Sequence, residues 1–118
     1  MMLFVFAGLM SCFANVQATK FFKITNGTSS EQAINNMVLA RKSNLQQIPI
    51  DPTNYTLTYP GGSISVVLPS DVTQFYYSFE VPTDTKTYSV SGSASVTPAS
   101  YKLIYVASID AMILQQIS

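Results

Sequence analysis

The chain reads as a mainly β protein, a small antiparallel β-sandwich of about seven short strands. Three observations predict it. Large apolar side chains fall on every second residue through Ser63 to Val81, the period of a strand with one buried face. Turn chemistry recurs about every ten residues, at Asn26-Gly27, Pro60-Gly61-Gly62, Pro69-Ser70-Asp71 and Pro82-Thr83-Asp84. Ser and Thr supply 25 of the 100 residues after Ala18 and alternate with Val, Ile, Leu and Tyr, so hydroxyls replace charges on the solvent side.

Residues 1–18 read as a cleaved secretory signal. An apolar run from Met2 to Ala14 is followed by Val16-Gln17-Ala18, whose end residues suit signal peptidase. The run is short of the roughly 20 residues that span a bilayer. Leu9-Met10-Ser11-Cys12 loosely resembles a lipoprotein box, but the apolar run continues through Phe13 and Ala14, which places the cut later. The mature part, 19–118, is the size of one domain.

Within it, Lys20 to Thr25 predicts a first strand with Phe22 and Ile24 on one face. Ser29 to Lys42 reads two ways, as a helix with Ile34, Met37, Val38 and Arg41 at spacings of three and four, or as a strand over 36–42; the β surroundings favour the strand. Prolines at 49 and 52 make 44–53 a loop or an irregular edge. Tyr55, Leu57 and Tyr59 lead into Pro60-Gly61-Gly62, and Ile64, Val66 and Leu68 follow, which predicts a hairpin closed by a type II turn.

The run Thr73 to Val81 is the central strand, with Phe75, Tyr77, Phe79 and Val81 inward and Gln74, Tyr76, Ser78 and Glu80 outward. Tyr88 and Val90 face inward in the next strand, and 91–99 reads as a small-residue loop, with Ala94 to Thr97 able to pair as an edge. Tyr101 to Ala107 is apolar on both faces, as in the interior of a sheet. The tail, 108–118, reads as a closing strand, with one short helix there or at 29–42 as the alternative. The strand cadence over residues 20 to 107 resembles immunoglobulin-like sandwiches, although the chain has one Cys and no Trp and so lacks their Cys pair around a Trp.

The chain has no His, and its single Cys, Cys12, lies in the signal. Ser-His-Asp and Cys-His catalysis, the usual zinc sites and disulfides are thereby excluded. The carboxylates Glu31, Asp51, Asp71, Glu80, Asp84 and Asp110 form no recognisable pairing, and those on turns are expected to serve the turns. No enzyme activity and no cofactor are expected. Six basic residues balance six acidic ones, which argues against nucleic acid and against a polybasic lipid contact. The sequons at Asn26 and Asn54 are chance matches in an Asn- and Thr-rich chain.

Most tyrosines, namely Tyr55, Tyr59, Tyr77, Tyr88 and Tyr101, fall in phase with core positions. Tyr76 is out of phase, and together with Ser78 and Glu80 it forms the candidate surface contact. The expected function is that of an exported, bacterial, non-enzymatic module, secreted or periplasmic. It would bind a protein or an envelope surface, with self-association through sheet edges as a further route. The alternative is a membrane-active effector using an apolar hairpin or the segment Ile109 to Ile117.

Overall fold

The computed structural model describes residues 20–50, 54–96 and 100–117; residues 1–18, read above as a signal, and Asp51 lie outside them. Two sheets of four and five strands pack face to face, nine strands in all instead of about seven. In chain order the strands are β1 (Lys20–Asn26), β2 (Gln32–Arg41), β3 (Gln47–Ile48), β4 (Tyr55–Leu57), β5 (Ser63–Leu68), β6 (Gln74–Pro82), β7 (Thr87–Ser95), β8 (Ser100–Val106) and β9 (Ala111–Gln116). The four-stranded sheet runs β9-β8-β1-β5. The five-stranded sheet runs β3-β2-β6-β7, with β4 also paired to β2. All pairs are antiparallel except β1 with β8, where Lys23 to Asn26 run parallel to Ser100 to Leu103. The expectation of a wholly antiparallel sandwich is corrected at that pair.

Alternation sets the core. β6 buries Phe75, Tyr77, Phe79 and Val81 and exposes Gln74, Tyr76, Ser78 and Glu80, as its sequence predicts. Phe22 of β1 stands at the centre between the sheets, 5.0 Å from Phe75, 5.6 Å from Tyr77 and 5.7 Å from Tyr101 between ring centroids. Its contacts with Phe75 and Tyr101 are edge-on, the geometry that aromatic quadrupoles favour.

Strand β2 resolves the two-way reading of 29–42 and is longer than the predicted 36–42. Its inward residues are Gln32 and Ile34 and then Met37 and Leu39, so the phase changes from even to odd. The change is a β-bulge, since Asn35 lies opposite Glu80 and Val38 opposite Ser78, with one extra residue on β2. Asn36 occupies the left-handed region at φ +57°, which Asn tolerates better than most side chains. The bulge produces the three-residue step from Ile34 to Met37 that mimics a helical stripe.

The predicted hairpin over Tyr55 to Leu68 does not form. β4 pairs with β2 in one sheet, and β5 pairs with β1 in the other. The turn between them carries the chain across the sandwich. It closes as a five-residue turn, Gly62 N–H donating to Thr58 O at 2.9 Å, with Gly61 at φ +76° and a cis Tyr59-Pro60 bond. Asn26, 4% exposed, anchors the crossing. Its backbone N–H donates to Gly62 O at 2.7 Å, and its side-chain amide reaches Leu57 O at 3.3 Å and Thr58 O at 3.4 Å. Turn chemistry thus marks a reversal, while the partners of the flanking strands are decided by these long-range bonds. Tyr59, predicted inward, lies on the turn and is 56% exposed.

The small residues 91–95 are strand, not loop. β7 pairs without interruption from Thr87 to Ser95. A side chain at Gly92 would meet the Tyr77 hydroxyl at 2.7 Å, so the small residue makes room for Tyr77. β8 is interior to its sheet as expected, and the tail is a three-residue 3₁₀ turn, Ala107–Ile109, followed by β9.

Candidate functional site

Tyr76, Ser78 and Glu80 stand together on the outer face of the five-stranded sheet, at the two-residue spacing that a strand imposes. Register supplies their neighbours. Tyr76 lies between Ala40 of β2 and Ser93 of β7, Ser78 between Val38 and Ser91, and Glu80 between Asn35 and Ser89. Tyr76 is 40% and Val38 44% exposed, and they give an otherwise hydroxyl-lined face its apolar surface. Charge is confined to its ends. The Lys42 ammonium lies 5.8 Å from the Tyr76 ring centroid, and Glu80 accepts a bond from Asn36 Nδ2 at 3.0 Å. The face offers a flat, sparsely charged surface with one aromatic anchor and many small donors and acceptors.

A second constellation lies at one end of the sandwich. Asp110 follows the 3₁₀ turn at φ +48° and collects three donors. Its Oδ1 accepts from Tyr88 at 2.6 Å and Tyr105 at 2.9 Å, and its Oδ2 from Lys86 Nζ at 2.7 Å. The Tyr88 and Tyr105 rings meet edge-on at 5.9 Å, and Lys86 Nζ sits 4.7 Å from the Tyr88 centroid. Donation from Lys86, and then from the two tyrosines, holds the Asp110 carboxyl down at about 2. The same carboxylate pushes the Tyr88 hydroxyl up, because an ionised Tyr88 could no longer donate to it. The group ties the start of β7 in one sheet to the β8–β9 turn of the other. Tyr88, predicted inward, is half-buried at this rim. Of the partners of Asp110, Lys86 and Tyr88 lie 24 and 22 residues away, and Tyr105 is five residues away across the β8–β9 turn.

At the opposite end of the sandwich the Arg41 guanidinium grips Asp71 through two bonds, 2.8 and 3.3 Å, beside a hollow of about 240 Å³. That contact lowers the Asp71 carboxyl below its ordinary value. Lys20 Nζ donates to Val72 O at 2.9 Å, so β1 and β2 both hold the loop that crosses between sheets. Asp71 therefore serves an ion pair, and the turn after Pro82 is built by Thr83, whose hydroxyl donates to Lys86 O at 2.7 Å. Among the described residues no three His, Cys, Asp or Glu side chains gather as metal ligands would. Of the two sequons, Asn26 is committed internally, its Nδ2 also donating to Ser30 O at 2.8 Å, whereas Asn54 is exposed.

Comparison with protein-family models, curated proteins and solved structures finds no match to this chain.

Proposed function

We propose that this protein is an exported, non-enzymatic binding module, secreted or periplasmic, that engages a protein or an envelope surface. Contact runs through the outer face of the five-stranded sheet, with Tyr76 as anchor and Ser78 and Glu80 beside it. The carrying observation is the placement of an exposed Tyr76 and Val38 on a flat, hydroxyl-rich face supported by a fully packed core. Tyrosine supplies large contact area at low entropic cost, and centrally placed aromatic residues dominate interface energetics. An immunoglobulin-like use of the sandwich, as a rigid support for one presented face, belongs to the same proposal and rests on strand cadence.

The test is binding of labelled mature protein to intact cells and envelope fractions. Tyr76→Ala is expected to weaken capture by about tenfold or more, the loss typical of a central anchor, and Val67→Lys on the other sheet to leave it unchanged. The opposite pattern overturns the assignment. A second reading is favoured by Ile109, Ile113 and Ile117, which are 67%, 39% and 45% exposed near the C-terminus. It makes the protein membrane-active, and flotation with vesicles that is abolished by Ile113→Lys would select it.

A further inference from the structure

Strand β7 is the outer edge of the five-stranded sheet, and its hydrogen-bonding direction can be read residue by residue. Val96 N–H donates to Thr73 O at 3.0 Å and Thr83 N–H to Lys86 O at 2.8 Å, both in register with the β6–β7 ladder. Even-numbered residues of β7 therefore bond to β6, and odd-numbered residues aim their N–H and C=O groups away from the sheet. Ser95 agrees, since its N–H is taken by the Tyr101 hydroxyl at 3.2 Å. This leaves Thr87, Ser89, Ser91 and Ser93, none of which has a hydrogen-bond partner in that direction among the described residues.

Open edges of this length are ordinarily guarded by a charge, a proline, a bulge or a covering segment. From Thr87 to Ser95 there is no charged residue and no proline, the pairing with β6 shows no register shift, and β9 of the other sheet approaches β7 without forming a ladder with it among the described residues. The outward row is also self-complementary. Across a twofold axis at Val90, Thr87 would face Ser93 of a second copy and Ser89 would face Ser91. Every confronted pair is then two small hydroxyl residues, with no like charges to oppose the approach. This register engages all four outward residues and excludes Ser95, whose donor is already used.

We propose that β7 is a self-association edge, and that a second copy of this chain pairs with it antiparallel about Val90 to join two five-stranded sheets into one of ten strands. The association is of the weak, reversible class, because a single edge covers less surface than a standard stable interface. It uses the in-plane backbone groups of β7, although Ser89, Ser91 and Ser93 also border the Tyr76 face, and it does not depend on that reading.

The experiment is sedimentation velocity on mature protein up to about 1 mM, which detects weak dimers. Two doubly substituted variants accompany the wild type, both on exposed positions. Ser89→Lys with Ser91→Lys places lysine opposite lysine at both central pairs and is expected to weaken dimerisation by about fivefold or more. Ser89→Lys with Ser91→Glu places lysine opposite glutamate and is expected to dimerise at least as well as wild type. Amide exchange at Ser89, Ser91 and Ser93 should slow as dimer forms. A wild type that stays monomeric throughout, or a dimer that treats the two variants alike, overturns the proposal.

Discussion

Strands β2 and β7 flank the same β6, yet the chain finishes their outer sides differently. Along β2, the short strands β3 and β4 pair with Leu39 and Ala40 and with Gln32 to Ile34, and a bulge breaks the row between them. Ile48 and Leu57 reach the core from these covers and are 0% exposed. Along β7 the ladder is regular and the residues are small, and β9 of the other sheet comes alongside it without pairing among the described residues. One edge is closed from within the chain. The other is tied only at its two ends, where Lys86 and Tyr88 reach Asp110 and where the Ser95 N–H donates to the Tyr101 hydroxyl. Covering an edge thus rests on apolar anchors in the covering segment, as Ile48 and Leu57 provide along β2.

If the covers are part of the core, truncating one should be the costliest change. Leu57→Ala is expected to destabilise by about 2–5 kcal/mol, the range for a fully buried leucine, measured by urea unfolding. It should also expose the β2 edge and raise amide exchange at 32–34. Ser91→Lys on the open edge should change stability by no more than about 0.5 kcal/mol. Equal costs at the two sites would show that β4 is merely laid on β2.

The bulge is the next point at which the comparison can be broken. Asn36 holds a left-handed backbone, which a β-branched side chain resists by about 1–2 kcal/mol. Asn36→Val should lose about that amount in thermal or urea unfolding. Asn36→Gly, which accepts the conformation freely, should stay within about 0.5 kcal/mol of wild type despite losing the bond to Glu80. If both variants unfold alike, the side-chain bond rather than the backbone conformation sets the bulge.

Where alternation is uninterrupted, the sequence was enough. Phe75, Tyr77, Phe79 and Val81 face the core and Tyr76, Ser78 and Glu80 face out because a strand has only that choice. Legibility failed where a non-local bond decided the outcome. Asn36 shifts the phase of β2, so the inward positions are drawn from both parities and imitate a helix. Asn26 diverts the segment after Leu57 into the other sheet, a decision invisible in Pro60-Gly61-Gly62 itself. The Asp110 group was illegible for the same reason, since topology brings Lys86 and Tyr88 to the carboxylate that Tyr105 reaches across a turn. The small residues of 91–99 suggest a loop, yet 91–95 are strand, because Gly92 is small to admit Tyr77 and not to provide flexibility.

The smallest expected effect lies at the tie on the open edge. Asp110 is exposed, so solvent and salt screen its contacts, yet its carboxyl is lowered from 3.8 to about 2 by Lys86, Tyr88 and Tyr105. A depressed folded value means that the contribution is complete above the unfolded value and is lost as pH falls through the folded one. The urea midpoint of wild type should exceed that of Asp110→Asn by a constant margin above about pH 5 and converge on it between about pH 4 and 2. Amide exchange at the first residues of β7 should rise over the same interval, while exchange at the covered β2 edge does not follow. Convergence at both edges together would mean that acid loosens the whole sheet, and that Asp110 is not what holds the start of β7.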